Sequence, residues 1–187
     1  MNYSTRFKRS IISAILLLGV TSLFLATRSS LFYRNMTYVG NMAEYRILFI
    51  LWGIVQSIFF TCMAYFIISR YAQGKTYKRL WSFTFLDFLL NVIAYLLPYQ
   101  HPGGDFISQM HVFLSFNSSA LAILILLYIM KLIFTQNYTV FIKVKNQMSI
   151  LLILIFFLAM LLGDFTGIME IVFLNGISII LYTMLFS

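Results

Sequence analysis

Side chains able to do acid–base or ligand chemistry are scarce here: five carboxylates, two histidines and one cysteine among 187 residues. Asp87 is the most unusual of them, because it interrupts the otherwise apolar run LWSFTFLDFLLNVIAYLLPY, residues 80–99. On a helix turning about 100° per residue, Thr84, Asp87, Asn91 and Tyr95 share an arc of roughly 80°. A second polar stripe lies in HVFLSFNSSALAILILL. There His111, Ser115, Ser118 and Ser119 fall within roughly 100°, while Asn117 points elsewhere. Gln56 shares a face with Gly53 in another apolar run. Glu170 opens the last run, and Asn175, Ser178 and Tyr182 follow on a different face. These spacings suit the recognition of a polar ligand inside an apolar body. The expected ligand contacts are Glu170, His111, Ser115, Ser118 and Asn91, with Asp87 and Gln56 at the floor.

Other chemistries find less support. A lone cysteine, Cys62, forms no internal disulfide and no multi-cysteine metal site, and in its apolar run it reads as core filler. Paired haem ligation would need His101 and His111 to face one cavity, but His101 precedes PGGD in a loop. There is no Gly-x-Ser-x-Gly and no paired zinc-ligand pattern. Asp87 and Glu170 differ in expected depth by about 10 Å on helix-rise geometry, too far for a catalytic acid pair. No catalytic residue, metal or cofactor is therefore expected. The segment LPYQHPGGD contains both prolines, Pro98 and Pro102, and reads as a helix stop followed by a turn. Asp105 and His101 there read as a solvated loop, with a lid over the polar face, joined by His111, as the second reading.

The elements that must carry these residues follow from composition. The chain is 61% hydrophobic and only 10% charged, whereas soluble proteins are about a quarter charged. Several runs approach the roughly 20 residues needed to cross a hydrocarbon layer. The segments of about 10 alternating residues that mark a membrane β-barrel are missing. The fold class is all-α: a polytopic transmembrane bundle of six helices, at about 10–27, 47–69, 80–98, 111–134, 147–163 and 167–186. The basic, then apolar, N-terminus imitates a secretory signal, but no small-x-small cleavage pattern follows, so it reads as a retained first helix. GDFTG suits a tight turn between the last two spans. With no repeat or linker, residues 1–187 are expected to form one domain. The fifth span is almost wholly apolar and is expected to face lipid.

Charge gives the expected orientation. Arg6, Lys8 and Arg9, then Arg70, Lys75, Lys78 and Arg79, then Lys131, Lys143 and Lys145 make ten of the 13 basic residues, all on one side of a six-span chain. The other side keeps Arg28, Arg34 and Arg46 with Glu44, Asp105 and Asp164. The positive-inside rule places both termini in the cytoplasm. The net charge of +8 is thus explained by topology and anionic lipid rather than by nucleic acid. Asn35-Met36-Thr37 matches a glycosylation sequon and carries no weight.

No lysine or arginine lies well inside any span, so Asp87 has no intramembrane cation within the chain. An unpaired charge at mid-bilayer costs roughly 2.5–3.5 kcal/mol on insertion scales. Three outcomes are open. The acid is neutral and ties helices together; or it is ionised in a wet cavity, bonded to Thr84, Asn91 or Gln56; or its counter-charge comes from outside.

YVGNMAEYRILFILWGI, LPYQHP, SQMHVFLSF and GIMEIVF, taken together, resemble a group of small six-helix membrane proteins of low-GC Gram-positive bacteria, a group similar in layout to DRAM-type membrane proteins. The resemblance implies the six-helix topology and puts Glu44, Arg46, Trp52, Pro98, His111 and Glu170 at recurrent positions. It implies no particular activity, and Asp87 is not part of its pattern. The expectation is a multi-pass protein of a bacterial cytoplasmic membrane, in contact with membrane lipids. A small-molecule ligand in an outward-facing polar pocket is the first reading. A non-catalytic scaffold with a membrane-protein partner is the second, and an intramembrane enzyme the third.

Overall fold

The computed structural model describes residues 4–99, 105–163 and 166–187. His101 and Pro102 of the expected loop, and Asp164 and Phe165 of the expected GDFTG turn, lie outside the described residues. All regular structure among the described residues is helical: α1 (Thr5–Ala26), α2 (Thr37–Gly40), α3 (Arg46–Tyr71), α4 (Gly74–Leu96), α5 (Phe106–Gln136), α6 (Tyr138–Leu162) and α7 (Gly167–Phe186). Six of these, all but α2, are long and apolar enough to cross a membrane. Their outward composition agrees. On α6, Ile150, Leu152, Ile153, Phe156, Phe157 and Met160 are all exposed, as the apolar fifth span requires. Water would not tolerate such surfaces; lipid does. The chain is an integral, multi-pass α-helical protein.

The helices are longer than their apolar cores. α5 begins at Phe106, five residues before the expected start, and α6 begins at Tyr138, nine residues before it. Hydropathy marks only the part of a helix that must sit in hydrocarbon. Polar or charged turns such as those carrying Lys143 and Lys145 continue the helix beyond it. At about 1.5 Å per residue, α5 measures roughly 46 Å, well over the 30 Å of a hydrocarbon core. Asn137 alone, with φ −150° and ψ 85°, separates α5 from α6.

The chain divides into two compact units, one of residues 40–137 and one of residues 1–39 with 138–187. In the first, α3, α4 and α5 pack on one another. α4 runs antiparallel to both neighbours. Its Tyr95 meets Trp52 and Phe49 near the start of α3, while Trp81 meets Tyr65 towards the end of α3, with centroids 5.1 Å apart. The same logic sets α5 against α4, since His111 reaches Ala94 and Ser118 reaches Asp87. Gly53 permits the closest approach: a Cβ there would fall on the Tyr95 ring. At the far end, Gln136 Nε2 donates to the Tyr71 carbonyl at 2.7 Å, covering one of the open acceptors that end α3.

In the second unit α7 packs on both α1 and α6. α1 and α7 are antiparallel. Gly19 lies by Asn175 and Ala26 by Gly167, and Phe7 and Lys8 meet the Phe186 ring at 5.9 and 5.6 Å. Gly176 of α7 gives Leu151 of α6 room to seat: an added Cβ would stand 2.5 Å from a Leu151 methyl. Cys62, expected as core filler, is instead exposed on α3. Met63 beside it is buried, so successive residues of one apolar run face the protein interior and its outside in turn, and the run alone does not place Cys62 in a core.

Candidate functional site

The polar residues of α3, α4 and α5 form a layer inside the three-helix unit. The Ser118 hydroxyl donates to Asp87 Oδ1 at 2.6 Å, and Asn91 Nδ2 approaches the same oxygen at 3.5 Å. The second bond is long enough to be weak. Both donors thus converge on Oδ1, and Oδ2 has no donor among the described residues. Asn91 Oδ1 is likewise without a donor among them. Thr84, a third candidate partner for Asp87, turns its hydroxyl back to the Leu80 carbonyl at 2.9 Å and is used up there.

Helix geometry locates the layer. Tyr95 faces α3 and Asp87 faces α5; Asn91 lies about 40° from each, so it points between the two neighbouring helices. Gln56 follows Trp52 and Gly53 by one turn, within roughly 60° of the α3 face that holds Tyr95. Because Gly53 is level with Tyr95, Gln56 is level with Asn91. It is 8% exposed, and its Oε1 is fully buried with no donor among the described residues. An orphaned buried carbonyl costs about 1–3 kcal/mol. Ser115, on α5, is half-buried at this same level. The layer therefore combines one carboxylate with amide oxygens and hydroxyls, and it holds more acceptors than donors.

The register differs by about one turn from the expected one. Counting from apolar span ends sets Ser118 level with Asn91, whereas it pairs with Asp87. The cause is the early start of α5 and the end of α4 at Leu96, which slide the two helices past the positions implied by hydropathy.

His111 has a different task. Its Nδ1–H donates to the carbonyls of Ala94, at 2.9 Å, and Leu97, at 3.2 Å. The ring also lies on Tyr99, with centroids 5.6 Å apart. These acceptors lie at the end of α4, where Pro98 stops the helix and brings no N–H of its own; the Ala94 carbonyl also accepts from the Leu97 N–H at 3.2 Å. Two more side chains serve the same end. Arg46 of α3 reaches the Leu96 carbonyl at 3.5 Å, placing a cation where the helix dipole is negative. The Asn41 amide pairs with both backbone groups of Tyr99, accepting from its N–H at 3.1 Å and donating to its carbonyl. Asp105 caps the following helix. Its carboxylate accepts from Ser108, hydroxyl first and backbone N–H second, which holds it below the usual aspartate range.

Glu170 belongs to the other unit, and its partner is backbone. Its Oε2 accepts from the Met36 N–H at 2.8 Å. Beside it, the first amides of α7 donate outward: Gly167 to the Arg34 carbonyl at 2.8 Å and Ile168 to the Leu31 carbonyl at 3.1 Å. The segment between α1 and α2 is thus fastened to the start of α7 by three bonds. Asn175, Ser178 and Thr183 of α7 turn back onto their own helix.

Of the expected site residues, Asp87, Asn91 and Ser118 are in direct contact. Gln56 and Ser115 share their level, His111 stands at the end of α4, and Glu170 is tied to the 31–36 segment. Asn41 and the α4-capping role of Arg46 were missed, because a side chain bonded to backbone leaves no complementary residue type to notice. In comparison with known proteins, the chain matches no family model, no curated protein and no solved structure.

Proposed function

We propose that this chain is a protein of a bacterial cytoplasmic membrane, with both termini in the cytoplasm, that binds or helps to transport a small solute or lipid headgroup. The binding site is the polar layer of Asp87, Asn91, Gln56, Ser115 and Ser118, approached from the non-cytoplasmic face. Membership of the six-helix group that the sequence resembles is part of the same proposal. One observation carries the reading: the layer holds a surplus of acceptors. If these groups only joined helix to helix, each would be matched. His111, Asn41 and Glu170 are matched in this way, and they favour a scaffold role for those three residues. Asp87 Oδ2 and Gln56 Oε1 are not matched among the described residues, and their missing donors belong to a ligand.

Native mass spectrometry of gently solubilised protein tests this. The wild-type chain is expected to keep a small-molecule adduct that Asp87→Asn loses. Equal retention by both proteins, or a wild-type chain that carries no adduct and responds to no small ion, sinks the proposal in favour of the scaffold.

A further inference from the structure

Resting on that binding role, we infer that the polar layer of α3 and α4 is a site for a small alkali cation, with Asp87 Oδ2, Asn91 Oδ1 and Gln56 Oε1 as its ligands.

The donor set chooses the class of ion. Every available ligand atom is an oxygen, which suits hard cations. Among the described residues no three His, Cys, Asp or Glu side chains gather, so nothing resembles a transition-metal cage. One carboxylate among neutral amides and hydroxyls carries a single negative charge. A monovalent ion cancels it. A divalent ion would leave a net positive charge in a low-dielectric interior, where uncompensated charge is expensive.

Burial then chooses the size. Gln56 Oε1 has essentially no accessible surface, so whatever meets it fits between packed helices without an organic body attached. An alkylammonium would need a cavity for its carbon atoms. A proton is small enough, but on Asp87 Oδ2 it could be donated to only one of the Asn91 and Gln56 oxygens and would leave the other unmatched. A dehydrated alkali ion is the occupant that meets all three oxygens at once. Ser118 supports the arrangement by occupying Oδ1, which turns the bare Oδ2 to the ion. Oxygen cages of this kind, built from side-chain and backbone acceptors at membrane mid-depth, are how helical membrane proteins hold coupling ions.

The experiment uses the purified full chain in detergent micelles or nanodiscs. Its thermal midpoint and tryptophan fluorescence are followed in NaCl, KCl and choline chloride at equal ionic strength. Trp52 is an internal reporter, one turn from Gln56 on the face that meets Tyr95. A ligand of the folded state raises the midpoint with the logarithm of its concentration. The expected result is a saturable rise in NaCl or KCl, absent in choline chloride; whichever ion acts at the lower concentration is the cognate one. Asp87→Asn and Gln56→Leu should each raise the half-effect concentration by roughly tenfold or more. Gln56→Leu is the decisive variant. Removing an orphaned buried oxygen leaves basal stability level or better, so a lost ion response cannot be put down to misfolding. Glutamate at the same position, Gln56→Glu, adds a second negative charge and should shift preference to Ca²⁺.

Indistinguishable wild-type curves in all three salts overturn the inference, as does a full ion response in Gln56→Leu. An organic adduct retained by the wild type, with no alkali dependence, also sinks the ion site but leaves the binding role standing. Absence of both the adduct and the ion response ends both.

Discussion

At the residue scale, carboxylates of similar setting do different work. Glu170 and Asp87 both lie on apolar helices, but Glu170 closes a bond to the Met36 backbone while Asp87 keeps one oxygen open. Truncating Glu170 should therefore act on structure. Glu170→Ala leaves the Met36 N–H without its acceptor and should cost about 1–3 kcal/mol, measured by thermal or denaturant unfolding in detergent. Protease sites between residues 31 and 36 should be cut faster. Glu170→Gln keeps an acceptor and should restore most of both properties. If Glu170→Ala leaves proteolysis of that segment untouched, the tie has no structural role.

At the element scale, close approach depends on where bulk is missing. Gly53 lets the Tyr95 ring lie directly on the α3 backbone, between Trp52 and Phe49. Small residues are the usual means by which membrane helices come near enough for dispersion to hold them. Gly53→Ala should displace that ring and lower stability by about 1–3 kcal/mol. In a Tyr95→Ala background the same change should cost clearly less. Additive losses in that double-mutant cycle would show that the two residues do not meet.

The presence and order of the six apolar helices were legible in the sequence, because hydrocarbon imposes length and composition together. So was the polar stripe of Thr84, Asp87, Asn91 and Tyr95, since helical period needs no partner to be read. Ser118 as the partner of Asp87 was not: Thr84, Asn91 and Gln56 were the expected partners, and Ser118 was set one turn away, level with Asn91. The error came from residues 106–110, which lie before the expected span yet are helical, and from the end of α4 at Leu96. The capping of α4 by His111, Arg46 and Asn41 was hidden because its acceptors are carbonyls, which every residue has.

At the scale of the whole molecule, the proposed orientation rests on charge. Arg6, Lys8 and Arg9 stand in the first turns of α1, Lys75, Lys78 and Arg79 in those of α4, and Lys143 and Lys145 in those of α6. Positive side chains oppose the dipole at a helix N-terminus, so local helix energetics do not explain their placement; the proposed cytoplasmic location of these helix starts would. In a Cys62→Ser background, a membrane-impermeant thiol reagent applied to intact cells should label Asn35→Cys. It should reach neither Ser4→Cys nor Ser187→Cys until the membrane is opened. Labelling of either terminus from outside would reverse the assigned orientation.

The division of the chain also bears on the order of its assembly. Residues 40–137 are contiguous, so α3, α4 and α5 have all their mutual partners as soon as α5 leaves the ribosome. The companion unit draws on both extremities: α1 is made first, yet its neighbour α7 is made last. With about 140 residues between them and synthesis at roughly 5–20 residues per second, α1 waits on the order of ten seconds for a mate. During that interval the flank that α1 will later give to α7 is without that partner.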